Sequence, residues 1–121
     1  MVGCLAFIAA CDTDDDSSSQ EQERLNLEEM LSEINEIAES VPCENPYDWT
    51  FTAIGSKACG GPIGYLAYSL NIDTVSFLNT VEAYSIALDD FNKKWNIVSD
   101  CSVPPIPIDV ACENGKAVLV F

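Results

Sequence analysis

Four cysteines spread through the chain after its first third, Cys43, Cys59, Cys101 and Cys112, constrain its folding more than any other feature. An even set of this kind fits two disulfides formed in an oxidising compartment. A chain of 121 residues has room for one compact domain with a modest core. Each bridge in such a domain contributes about 2 to 4 kcal/mol, a large share of its stability. Four free thiols are the plain alternative. A four-thiolate zinc site fits less well, because no two of these cysteines are spaced as a close chelating pair.

The chain contains no histidine, which removes the commonest general base near neutral pH and the commonest zinc ligand. Serine-histidine and cysteine-histidine catalysis and mixed histidine-cysteine metal sites are therefore excluded. Twenty acids stand against five basic residues, a net charge of -15, so nucleic acid would be repelled. The imbalance is local. Eleven acids lie between Asp12 and Val41 with Arg24 alone to offset them, while Pro42 to Phe121 holds nine against four lysines. A solvated leader ahead of a more ordinary domain is the expected organisation.

At the N-terminus, Val2 to Ala10 is apolar but far shorter than the roughly 20 residues a membrane-spanning helix needs. The run ends in Ile8-Ala9-Ala10-Cys11, a branched aliphatic, two small residues and a cysteine. This stretch resembles the lipobox of bacterial lipoproteins. The resemblance implies that the Cys11 thiol receives a diacylglyceryl group and that residues 1–10 are removed as a signal peptide. Two or three acyl chains, at about 0.8 kcal/mol per buried CH2, hold a protein firmly on a membrane. Only ten residues precede Cys11 and none is basic, so the basic portion of the signal is expected upstream of Met1. Asp12 and the acids behind it resemble lipoprotein sorting signals, and the resemblance implies a location in the bacterial cell envelope at the outer membrane.

Residues 11–25 are expected to form a disordered acidic tether. Asp12, Asp14, Asp16, Ser18, Gln20 and Glu23 also match the ligand spacing of a calcium-binding EF-hand loop, but Ser17 stands where the turn needs glycine. Solvated chain is the reading adopted, and no metal or cofactor is expected.

Residues 26–121 then form a single domain. Asn26 caps a helix, with Glu29 completing the capping box and Leu25 stapled to Met30. Leu27, Met30, Leu31, Ile34, Ile37, Ala38 and Val41 make its apolar stripe, and Pro42 ends it. The runs YDWTFTAI and GYLAYSLNI read as two strands joined by the glycine-rich GSKACGGP. Asp73 caps a second amphipathic helix in which Phe77, Leu78, Val81, Tyr84, Leu88, Phe91 and Trp95 recur at helical spacing. Pro104, Pro105 and Pro107 keep the following segment extended, and KAVLVF closes the sheet after an Asn114-Gly115 turn. The sequence thus predicts an α+β fold: a small antiparallel sheet of about three strands, two amphipathic helices and two disulfides. Four cysteines can pair in three ways. The order of elements favours Cys59 with Cys101, where the second helix returns to the connection between the strands, and Cys43 with Cys112 at the other end.

Trp49 to Pro105 also resembles small uncharacterised lipoproteins of Bacteroidota-type bacteria, a likeness that brings no activity with it. The function expected is a non-catalytic binding module with an unknown protein or small-molecule partner. Its candidate surfaces are the glycine-rich loop, with Ser56, Lys57, Gly60 and Gly61, and the proline loop 102–109, with Val103, Pro104, Pro105, Ile106 and Pro107. The proline loop resembles, at greater length, the loops of Bowman-Birk inhibitors, so peptidase inhibition through Val103 or Ile106 is the alternative. A small enzyme is a lesser one. The adjacent acids Asp89 and Asp90 point in different directions on a helix and do not make a catalytic pair.

Overall fold

A computed structural model describes residues 15–121, so the lipobox, Cys11 and the acids as far as Asp14 lie outside the described residues. The elements in order are α1 (Asp15–Ala38), a single 3-10 turn (Pro46–Asp48), β1 (Trp49–Ile54), β2 (Gly64–Ser69), α2 (Thr74–Lys94), β3 (Asp109–Glu113) and β4 (Lys116–Val120). The fold is α+β, with two disulfides.

The first helix begins eleven residues ahead of Asn26, which corrects the boundary of the acidic tether. Asn26 is a helix-interior residue that accepts a hydrogen bond from Gln22, and Leu25 is exposed rather than stapled. Negative residues at a helix start complement its dipole, and Arg24 pairs with Glu21 one turn back and Glu28 one turn ahead. A tertiary contact adds to these local ones. Glu23 accepts from Lys94 Nζ at 2.5 Å and from Trp95 Nε1 at 3.2 Å, tying the supposed tether to the end of α2. These contacts hold the carboxyl of Glu23 below the usual range, Lys94 contributing most.

The second helix follows its sequence closely. Asp73 accepts from the Ser76 amide as cap, and Lys93 and Lys94 occupy the last turn, where cations suit the dipole. Phe77, Val81, Tyr84 and Phe91 are buried against Leu27, Ile34 and Ala38 of α1 and against Ile54 and Tyr68. Burial in this core raises the pKa of Tyr84.

The strands form two hairpins instead of one three-stranded sheet. β1 pairs with β2 and β3 with β4, both antiparallel, and no ladder joins the two pairs. The segment missed as a strand is β3. The last proline before it is Pro107, and beyond that residue the chain regains its ladder donors and pairs with β4 across Asn114 and Gly115, whose φ values of 52° and 78° suit a tight hairpin turn.

Alternation along β1 and β2 gives the domain its layers. Ile54, Leu66 and Tyr68 face the helices, whereas Trp49, Phe51 and Ala67 face a second core with Val110, Cys112, Ala117 and Leu119 of the other hairpin. β1 and β2 therefore form a middle layer covered on both sides. Cys43 bridges Cys112 within that second core and is only 2% exposed, while Cys59 bridges Cys101 at the surface. Both bridges join the pairs that the element order favours.

The two faces of α1 differ enough to be tested. Ile34 is fully buried, so Ile34→Ala should lower stability by about 2 to 5 kcal/mol, whereas Ile37→Ala on the exposed side should change it by about 0.5 kcal/mol or less. Urea unfolding of the two variants measures the contrast.

Candidate functional site

The glycine-rich and proline loops are far apart in sequence and adjacent in the fold. Residues 55–63 turn sharply between β1 and β2, with the Lys57 amide donating to the Gly61 carbonyl at 2.9 Å and the Gly60 amide to Lys57 at 2.9 Å. Gly55 takes a φ of 82°, and a Cβ there would lie 2.4 Å from Ile63, so no other residue fits without displacing that side chain. Helix α2 fixes the loop from the side. The Gly55 amide donates to Ser85 Oγ, Asn92 Nδ2 donates to the Ser56 carbonyl, and Ser56 Oγ donates to Asp89. Asp89 is also paired with Lys93, which does most to lower its pKa.

Lys57 joins the two loops. Its side chain is only 16% exposed, and Nζ reaches the Asp100 carboxylate at 3.0 Å, the Ser102 carbonyl at 2.6 Å and Ser102 Oγ at 3.2 Å. Beside it the Cys59–Cys101 bridge brings the two Cα atoms to 5.6 Å. Lys57 and Ser56 are therefore committed within the domain, which corrects their assignment as exposed recognition residues. Gly60 and Gly61 remain exposed, with no neighbour near where a side chain would begin.

The proline loop is held at both ends and open in the middle. Cys101 fixes its start to residue 59 and Cys112 fixes the strand that follows to residue 43, so the segment is not closed on itself. The Ile108 amide donates to the Val120 carbonyl at 2.8 Å, setting the start of the β3–β4 hairpin. Between these points Val103 is 80% exposed, Ile106 65% and Ile108 75%. Pro105 is also exposed, Pro104 is half-buried, and Pro107 is buried, which withdraws it from the candidate surface. Ile108 belongs on that surface. It lies within the 102–109 loop read from the sequence, and its exposure makes it part of the outward-facing segment.

A second concavity has no signal in the sequence. A cleft of about 540 Å³ opens where the end of α1 meets β2 and β4, lined by Ala38 to Pro42, Trp49, Tyr65 to Ala67, and residues of the β4 hairpin from Gly115 to Leu119. Its walls are mainly apolar, with Glu39 and Lys116 as the charged residues. Lys116 has no ion pair among the described residues, whereas the other four cations all do.

No protein-family model, curated protein or solved structure matches the chain.

The junction of the loops has an electrostatic signature. Hydrogen bonds from Ser102, its hydroxyl first, and then from Lys57 bring the Asp100 pKa from 3.8 to about 2. A depressed folded-state pKa contributes stability that is present above 3.8 and is lost as pH falls through about 2. An NMR titration should place the Asp100 midpoint near 2, and Ser102→Ala should move it back toward 3.8. An unchanged midpoint in that variant would remove the hydroxyl as the main cause.

Proposed function

We propose that this chain is a non-catalytic binding module of the bacterial cell envelope, held to the outer membrane by lipid on Cys11, that recognises a partner through the proline loop. One observation carries the recognition part: Val103, Ile106 and Ile108 stand exposed on an extended segment that is fixed to the scaffold at both ends. Three large aliphatic side chains in water are an unfavourable way to end a loop unless a partner covers them. A segment already held extended also loses little conformational freedom on docking. The lipobox at Ile8 to Cys11 supports the anchor.

Two variants separate the parts of this reading. Cys11→Ser, expressed with a full signal, should shift the protein from the membrane fraction to the soluble fraction; retention on the membrane would contradict the anchor. Val103→Asp with Ile106→Asp should leave the unfolding midpoint almost unchanged, because both side chains are exposed, and should abolish cross-linking of residue 105 to envelope components. Undiminished cross-linking would move recognition elsewhere.

The same loop supports peptidase inhibition as a second reading. Val103 and Ile106, two of its three exposed aliphatic residues, each precede a proline, so the bond after either one is an imide that resists cleavage. Inhibition of serine or cysteine peptidases at micromolar protein, lost with the same double variant, would favour it.

A further inference from the structure

The cleft beside α1 is bounded on one side by a strand edge, not by a strand face. Neighbouring residues of a strand point their side chains to opposite sides of the sheet. Yet Tyr65, Leu66 and Ala67 of β2 all line the cleft in succession. A strand contributes consecutive residues to one cavity where its edge borders that cavity.

The hydrogen-bond register identifies the groups on this edge. The Leu70 amide donates to the Asp48 carbonyl at 2.7 Å, and in the β1–β2 register residues 48 and 70 are opposite one another. Hydrogen-bonded and non-hydrogen-bonded pairs alternate along an antiparallel ladder. Thr50 with Tyr68 and Thr52 with Leu66 are therefore the bonded pairs, and the backbone groups of Tyr65 and Ala67 are directed away from β1. β2 has no second strand neighbour, and no backbone bond to Tyr65 or Ala67 occurs among the described residues. Unpaired groups along a strand edge are a ready template for a further strand.

In the turn ahead of β4, the Gly115 carbonyl accepts from the Cys43 amide at 2.9 Å. β2 carries the edge whose outward groups the register identifies, with the apolar cleft beside it to receive side chains.

We infer that the edge of β2 at Tyr65 and Ala67 is a docking site for an extended peptide segment, which adds as a third strand and places apolar side chains between Trp49, Val41 and Leu119. Main-chain groups spaced along an edge match a peptide backbone, while adjacent pockets select its alternate side chains. Charge selects the kind of peptide. A second copy of this chain would bring another net charge of -15, whereas a basic segment is drawn in by the whole field. At the rim Glu39 gives a lysine of such a segment a local contact, while Lys116 in the same cleft leaves the local charge balanced, so the attraction comes from the net charge of the chain. The occupant is therefore a basic-flanked, apolar-alternating strand of another protein. This site is separate from the proline loop and stands whether or not that loop is a recognition surface.

The test is amide hydrogen exchange on the intact domain, free and with a pool of synthetic peptides bearing lysine ends around valine, isoleucine or phenylalanine alternating with threonine. In the free protein Leu66 and Tyr68 should be protected and Tyr65 and Ala67 should exchange faster. Saturating peptide should slow Tyr65 and Ala67 by about tenfold or more, with a change in Trp49 fluorescence. Tyr65→Pro removes an outward donor while sparing the ladder, and Tyr65→Val keeps it; binding should weaken about tenfold more in the proline variant than in the valine variant. No added protection with any peptide of the pool would overturn the inference. So would equal binding by the two variants, or protection of the same amides through self-association without peptide.

Discussion

The structure depends on the β1–β2 hairpin being apolar on both faces. A two-stranded hairpin alone in water is marginal at best, and this one gains stability by accepting helices on one side and a second hairpin on the other. Ile54, Leu66 and Tyr68 serve the first core, Trp49, Phe51 and Ala67 the second. The helices and the C-terminal hairpin meet mainly through this middle layer. The buried side chains divide into two small cores, one on each side of this layer.

The disulfides divide their work between those layers. Cys43–Cys112 lies inside the second core and fixes the outer hairpin to the segment that leaves α1, whereas Cys59–Cys101 lies at the surface and gathers the two loops. Lys57 completes the second junction, spending its charge on Asp100 and its remaining donors on Ser102. The consequence is a proline segment whose ends are immobilised by covalent bonds and whose aliphatic side chains face outward. Rigidity and exposure together, more than either alone, support the proposal that it is a recognition surface.

Much of this was legible in the sequence, and the exceptions have physical causes. Asp73, the apolar positions of α2 and the Asn114-Gly115 turn are local signals, and local signals were enough for them. Asn26 gave a false start to α1 because its capping pattern is equally compatible with a helix interior once Glu23 reaches Lys94 and Trp95 of another element. β3 was hidden by the prolines just before it, although Pro107 marks the end of their influence. Lys57 looked available because an ion pair with Asp100 spans forty-three residues of chain and leaves no pattern at short range. The cleft is assembled from four separate segments, and no periodicity in any one of them announces it.

The central claim is that the two bridges fasten both ends of the exposed segment to distant parts of the fold, and peptide mapping of the unreduced protein tests it most directly. The account predicts two cross-linked species, one joining the peptides of Cys43 and Cys112 and the other those of Cys59 and Cys101, with no free thiol among the four. A species joining Cys101 to Cys112 would make the loop a closed ring independent of the scaffold and would contradict the account, as would alkylation of these thiols without reduction.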